Sequence, residues 1–226
     1  MHYNGLIDKQ ILVKLTTRER PTQALKALRL AKELAVNPTK IKWLISLDLD
    51  DNSCNDVAYC DSIAHIIDNP FIVFGQSKSK IDAINRDMDE VPDWHILVNL
   101  SDDQTCVTQG WDDIIRKAMP NDLDASLWYH DQAQPRINTQ EIIGYNYYKR
   151  TGYIYHPAFK SFYCDNLATD QALKLGKMIK SDQCLFRHDH PACNHPTSLQ
   201  NDALYDKNQK AWFEDKATYE RLKLEL

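Results

Sequence analysis

The sequence predicts an α/β fold in which a mostly parallel central sheet is flanked by helices. Three observations lead there: β-favouring apolar runs alternate with amphipathic segments through the first hundred residues, the connections are short, and successive runs stop at acidic or glycine-containing loops. With 226 residues, 43% of them hydrophobic and 26% charged, the chain is long enough for a full core and ordinary enough in composition to exclude a disordered, collagen-like or coiled-coil architecture. One domain covering residues 1–226 is expected, because no internal repeat, low-complexity tract or Pro/Gly/Ser linker marks a boundary.

The elements follow in order. Ile11 to Leu15 is a short strand, the polar stretch Thr16-Thr17-Arg18-Glu19-Arg20 is its loop, and Pro21 suits the first turn of a helix. Ala24, Leu25, Leu28, Ala31, Leu34 and Ala35 then recur at three- and four-residue steps, the stripe of a helix packed on a sheet. A second strand, Lys42 to Leu47, ends in Asp48-Leu49-Asp50-Asp51, with a weaker helical pattern over Cys54 to Ile67. Phe71 to Phe74 is a third strand ending at Gly75, and Lys80 to Met88 a third helix. A fourth run, His95 to Leu100, stops at Ser101-Asp102-Asp103. Beyond it the expected elements are a helix over Gly110 to Ala118 closed by Pro120 and a strand over Leu127 to Tyr129. Strands or a hairpin are expected over the aromatic, β-branched stretch Glu141 to Pro157, then a helix over Asp165 to Leu175, a strand over Gln183 to His188, and mostly helix over Leu199 to Arg221.

Charge and composition narrow the function. A formal net charge of −5 gives no general attraction to nucleic acid or anionic membranes, although a local basic groove is compatible with it. The N-terminal Met1-His2-Tyr3-Asn4 lacks a basic and apolar leader, and no apolar run reaches the roughly 18 residues that span a bilayer. Six cysteines without a Cys-x-x-Cys pair argue against a zinc ribbon and for reduced thiols in the cytoplasm. The adjacent Asp102 and Asp103 stand where open α/β sheets bind ligands, and they offer hard oxygens to Mg²⁺ or Mn²⁺. An isolated pair of this kind is more often a turn or a helix cap, so the surrounding motifs decide.

Five blocks do so: Thr16 to Pro21, Asp48 to Asp51, Ser101-Asp102-Asp103 with Gly110-Trp111-Asp112, Phe162 to Asn166, and Phe186 to Pro191. In this order and spacing, over nearly the whole length, the chain resembles a GT-A glycosyltransferase of the small, family-2-like bacterial and phage type. The resemblance implies a nucleotide-sugar-binding half, 1–105, and an acceptor-binding half, 106–226. It places Thr16, Arg18, Arg20 and Asp50 beside the nucleobase and ribose, with Lys80 or Asn85 closing the pocket. Carboxylate and guanidinium suit those partners, the first accepting from a base imide or ribose hydroxyl and the second answering phosphate.

The same resemblance makes Asp102-Asp103 the family's DxD motif, one carboxylate short of Asp-x-Asp, with Asp103 ligating the metal and Asp102 in support. A late histidine, His188 or His190, joins the metal, and imidazole favours Mn²⁺ over Mg²⁺. Asp165 falls at the catalytic base of an inverting transfer, with Asp170 as its fallback. Asp131 is a candidate for donor-sugar hydroxyls, and Trp111, Trp128, Tyr153 and Tyr155 are candidate stacking platforms, although aromatic residues in such runs are mostly core. The implied donor is a nucleoside-diphosphate sugar, UDP-linked by preference. The implied acceptor is a glycan, a lipid-linked sugar or a hydroxymethylated DNA base. A nucleotidyltransferase would carry a glycine-rich phosphate loop, which Thr16 to Pro21 lacks, and a non-catalytic binding module would have little reason to keep so many site carboxylates.

Overall fold

The computed structural model describes residues 9–193 and 196–226, so His2 and Tyr3 of the N-terminus lie outside the described residues. Among the described residues nine strands run in chain order as β1 (Ile11–Thr17), β2 (Ile41–Asp48), β3 (Phe71–Gly75), β4 (Ile96–Ser101), β5 (Gln104–Cys106), β6 (Ser126–Tyr129), β7 (Ile142–Gly144), β8 (Met178–Ser181) and β9 (Phe186–His188). The helices are α1 (Pro21–Glu33), α2 (Val57–Ile66), α3 (Lys80–Asn85), α4 (Trp111–Ala118), α5 (Tyr145–Tyr148), α6 (Cys164–Lys174), α7 (Ala203–Gln209) and α8 (Trp212–Lys223).

Seven strands form the main sheet in the order β3-β2-β1-β4-β7-β6-β8. The first four are mutually parallel, β7 is antiparallel to both of its neighbours, and β8 is parallel to β6. Strands β1, β2 and β4 are apolar on both faces because helices cover both, which is why their sequences read as continuous runs rather than alternations. On one face Ile11, Val13 and Leu15 pack with Ala24, Leu28 and Ala31 of α1 and with Ile63, Trp111 and Ile115. On the other, Leu12, Leu44 and Leu97 pack with Ile81 and Ile84 of α3, Leu167 of α6 and Tyr219 and Leu222 of α8. Lys14 interrupts that second series: it is fully buried, donating to Ser46 Oγ and to the Arg86 carbonyl.

The parallel register aligns Thr16 with Ser46 on one side and with Ser101 on the other. Thr17, Asp48 and Ser101 therefore finish at one edge of the sheet, the carboxyl edge on which open α/β folds build their sites. The second sheet is small, β5 pairing antiparallel with β9 so that His188 lies opposite Gln104.

Several expectations need correction. The stretch Glu141 to Pro157 is not a hairpin. After the three residues of β7 the chain turns into the short helix α5 and then into a loop. Position 144 has to be glycine, because a Cβ there would sit 2.1 Å from the Leu123 carbonyl oxygen. Tyr145 and Tyr148 then pack edge-on against Trp94, at 4.9 and 5.3 Å between ring centroids, so tertiary contact overrides their β-propensity. Beyond them the Asn85 side chain accepts from the Ile154 and Tyr155 amides, which takes those groups out of any strand ladder. The C-terminal helical stretch is two helices, α7 and α8, and the strands β5 and β8 were not expected. Among the described residues no helix is long and apolar enough to cross a membrane.

Candidate active site

An open cleft of about 670 Å³ lies over the carboxyl edge of β1, β2 and β4. Its floor is made by the strand ends, and its rim by the start of α3, the loop before α6, α7 and the start of α8. Thr16, Arg18, Arg20, Lys80, Asp102, Asp103, Asp165, His188 and His190, all singled out from the sequence, line it together.

Asp103 is at its centre. Its carboxylate is 4% exposed, with Oδ2 lying 3.5 Å from His188 Nε2 and accepting from the Tyr205 hydroxyl at 3.2 Å. Oδ1 is buried without a hydrogen-bond partner, an arrangement that costs free energy unless another group answers the charge. Behind the histidine, Asp131 Oδ2 lies 3.5 Å from Nδ1, which orients the ring toward Asp103. Burial disfavours charge on His188, but Asp103 and Asp131 outweigh it and push the imidazole up to about 10. Burial likewise opposes ionisation of Asp103, yet the His188 charge holds it well below the usual carboxylate range.

Asp102 faces a different set of partners. It accepts from Thr17 Oγ1 at 2.8 Å and from Arg20 at 3.3 Å, while burial and then the adjacent Asp103 charge push it up to about 6. Arg20 also makes a two-pronged pair with Asp202, at 2.8 and 2.7 Å, and lies 3.8 Å over the Tyr205 ring. Asp202 caps α7 by accepting from the Tyr205 amide, so this one residue both starts the helix and ties it to the strand ends.

The donor set suits a hard divalent cation. Among the described residues no three His, Cys, Asp or Glu side chains are grouped to hold a metal ion. Asp103, and His188 once it has given up a ring proton, would supply two ligands and leave the remaining positions to substrate oxygens and water. That is the usual way Mg²⁺ or Mn²⁺ is bound at a phosphate site, and the orphaned Asp103 Oδ1 is the buried acceptor such an ion would satisfy. His188 rather than His190 meets Asp103; His190 packs on the Tyr205 ring at 4.8 Å.

At the β2 end Arg18 grips Asp50 with both terminal nitrogens, at 2.7 and 2.8 Å, and reaches Asp48 at 3.1 Å. Asp48 is the buried member and lines the cleft, also accepting from Ser77 Oγ at 2.6 Å and Arg86 at 3.3 Å. Asp50 is largely exposed and does not line the cleft; it acts on the cleft through Arg18.

Asp165 lies in the first turn of α6, half-buried and lining the cleft. Burial raises its pKa, while the Asn166 amide at 2.9 Å and the Lys80 charge act in the opposite direction. Directly behind lies Glu141, 2% exposed, which burial and then the Asp165 charge push up to about 8.

Other residues singled out from the sequence fall outside the cleft. Trp111 is 0% exposed and donates from Nε1 to the Ala31 carbonyl at 2.8 Å, a core residue that joins α4 to α1. Asn85 clamps the 154–155 backbone, donating to the Tyr155 carbonyl as well as accepting from both amides. Tyr153 lines a small separate cavity, Tyr155 and Trp128 are buried, and Asp170 accepts from the Tyr219 hydroxyl. Asp131 reaches the cleft only through His188. The contributions of Tyr205 and Asp202 had no local signal beyond the Asp-x-x-Tyr cap, since both are carried to Arg20 across more than 180 residues. Asp48 was legible as the last residue of an apolar run; burial distinguishes it from Asp50, whereas Asp51 is also buried but turns to the Glu19 amide and Ser53 rather than lining the cleft.

No family model and no curated protein matches the sequence. Solved structures do match. The chain is similar to PcManGT, a mannosyltransferase from Pyrobaculum calidifontis solved with GDP-Man and Mn²⁺, at a TM-score of 0.63 and 10% identity over 79% of this chain and 56% of that one. It is also similar to residues 1–349 of S. aureus TarS, at 0.61 and 11% over 79% and 60%, and to the same protein in complex with UDP-GlcNAc, at 0.59 and 11% over 79% and 58%. The chain thus spans less than two thirds of each of these structures, and what it shares with them is the GT-A-like glycosyltransferase fold, a mostly parallel central sheet flanked by helices.

Proposed function

We propose that the protein is a metal-dependent, inverting glycosyltransferase that moves a sugar from a nucleoside-diphosphate sugar, UDP-linked by preference, to an acceptor hydroxyl. The observation that carries the reading is the buried, unpartnered Asp103 oxygen beside His188, in the same cleft as Asp165. That one solved structure of the same fold holds GDP-Man and Mn²⁺ and another holds UDP-GlcNAc supports it.

The base and ribose occupy the β1–β2 side, where Thr16, Arg18, Asp48 and Ser77 present hydroxyl, guanidinium and carboxylate groups. Asp103 and His188 would hold Mn²⁺ or Mg²⁺, which would supply charge neutralisation for the departing diphosphate. Arg20 and Lys80, both lining the cleft, answer the phosphate charge that remains. Asp102 stays on Thr17 and Arg20 and keeps the loop in register with its neighbour. Asp165 takes the proton from the acceptor hydroxyl as its oxygen attacks the anomeric carbon opposite the diphosphate; its raised pKa brings a carboxylate closer to working pH. Asp131 acts at one remove by orienting His188. The acceptor enters from the side of residues 160–163, and a glycan, a lipid-linked sugar or a hydroxymethylated base each offers the hydroxyl required. A cytoplasmic setting accords with six cysteines that are all free thiols.

The experiment is a screen of UDP-, GDP- and TDP-sugars for hydrolysis, run with Mn²⁺ and again with excess chelator. Hydrolysis of one nucleotide class that disappears on chelation is the expected result. No turnover of any donor, with no nucleoside diphosphate bound in the presence of Mn²⁺, would overturn the reading.

A further inference from the structure

The chain enters α6 through residues 160–163, a stretch with no regular secondary structure of its own whose side chains line the cleft just before Asp165. Backbone amides in such a loop need partners. They find an unusual one. Asp215, in the first turn of α8 and 0% exposed, accepts from the Lys160 amide at 2.9 Å and from the Ser161 and Phe162 amides at 2.8 Å each. One buried carboxylate thus gathers three consecutive N–H groups, which is the kind of environment that satisfies its charge without a cation.

Two further contacts make this clamp matter to the site. The Lys160 carbonyl accepts from the Ile81 amide at 3.3 Å, the second residue of α3, so the loop is tied to the helix that starts with Lys80. Tyr163 then turns the chain through a left-handed φ of 59°, a conformation unfavourable for a residue with a Cβ, and its ring is held between Trp212 and Tyr219 of α8 at 5.5 and 5.6 Å. Cys164 and Asp165 follow immediately. The amide clamp and the Tyr163 ring therefore tie the start of α6 to α8, and the Ile81 bond ties the same loop to α3.

We infer that Asp215 is a positioning residue for the transfer step: by holding the 160–162 backbone it sets the place of Asp165 and of the acceptor wall relative to the floor of the cleft. The inference rests on the glycosyltransferase reading, and it adds a residue that touches neither donor nor acceptor. An error of an ångström in a catalytic base is enough to slow a reaction about a hundredfold, so a clamp of this kind is felt in rate before it is felt in donor affinity.

The test is Asp215→Asn, which keeps the shape of the side chain but replaces one acceptor oxygen with a donor that faces amides. Asp215→Ser serves as a second, smaller variant that retains one oxygen. Leu222→Ala, two turns further along the same helix and buried in the core, is the control for simple destabilisation. Each is assayed well below its melting temperature for donor-sugar hydrolysis, in which water takes the acceptor's place, and for UDP binding with Mn²⁺ by calorimetry. Expected is a fall in kcat of at least about tenfold in both Asp215 variants, with the UDP Kd within about twofold of wild type and with Leu222→Ala keeping the wild-type kcat. A kcat within twofold of wild type in a folded Asp215 variant overturns the inference, as does an equal loss in Leu222→Ala. If neither Asp215 variant folds, Asp215 belongs to the core alone and the inference is wrong. Hydrolysis absent from the wild-type protein would instead defeat the glycosyltransferase reading itself.

Discussion

The two sides of the cleft are held by different kinds of contact. On the strand-end side the ties are charged side chains that meet other charged side chains: Arg18 with Asp48 and Asp50, Arg86 with Asp48, Arg20 with Asp102 and Asp202. On the α6–α8 side a polar side chain grips backbone instead, Asp215 taking three amides and Asn85 two amides and a carbonyl. A guanidinium can leave one carboxylate for a phosphate with little change in backbone, because its fork fits either partner. Amides clamped by a buried carboxylate have no such alternative. The first side is therefore built to exchange partners with a charged ligand, and the second to stay where it is.

The largest expected effect tests whether the exchangeable side centres on Asp103. Asp103→Ala should lower metal-dependent donor hydrolysis by about a thousandfold, the scale of removing a principal electrostatic contact to the developing charge. Nucleotide release followed by coupled assay measures it, and a loss of less than tenfold would move the metal elsewhere. Next is the fixed side. Asp165→Asn should cost about a hundredfold or more in kcat while leaving UDP affinity with Mn²⁺ unchanged, since a base acts in the chemical step. A matching loss of UDP affinity would place Asp165 among the donor ligands and erase the division.

Lys14 and Glu141 are both buried, and their responses to pH have opposite sign. Lys14, fully buried, has its pKa lowered by burial to about 7 from 10.5, so between those values the unfolded chain binds more protons and stability rises with pH. Glu141 is raised by burial to about 8 from 4.5, so its contribution is complete below pH 4.5 and is lost as pH rises through 8. Measured against Lys14→Met, the wild-type protein should gain on the order of 2 kcal/mol between pH 7 and pH 9. Against Glu141→Gln it should lose a similar amount, on the order of 2 kcal/mol, between pH 5 and pH 7. Urea titrations across pH read both, and differences of the same sign would refute the opposition. The smallest effect concerns Arg20. If it trades Asp202 for phosphate, Arg20→Ala weakens UDP binding about tenfold while Asp202→Asn weakens it no more than about threefold, and equal losses would show a structural strut rather than an exchangeable pair.

The same division explains what the sequence made legible. Strand runs ending in polar residues locate Thr16, Arg18, Asp102 and Asp103 directly, because a parallel sheet with short connections brings strand ends to one edge, and the register of β1 with β2 and β4 does so. Asp165 and the pair His188 and His190 were legible from the motifs around them, and the fold separates the two histidines by setting His188 against Asp103. The clamps were not, since the interaction of Asp215 with residues 160–162 spans over 50 positions and leaves no periodic trace. Aromatic residues misled in both directions. Trp111 looked like a platform and is core, whereas Tyr205 carried no expectation and sits against Asp103 and Arg20. The hairpin expected near Tyr147 gives way to α5, whose Tyr145 and Tyr148 pack on Trp94 more than 50 residues earlier in the chain.

Strand β7 has a consequence for dissection of the molecule. It supplies the second neighbour of β4, pairing Ile96, Leu97 and Val98 with Gly144, Ile143 and Ile142. A fragment ending near residue 105 would present that flank of β4, three of its most apolar residues, as an open ribbon of unpaired amides and carbonyls. Such a piece should associate with itself rather than bind nucleotide, and during synthesis the nascent chain must leave this seam unsealed for some 40 residues before its cover emerges.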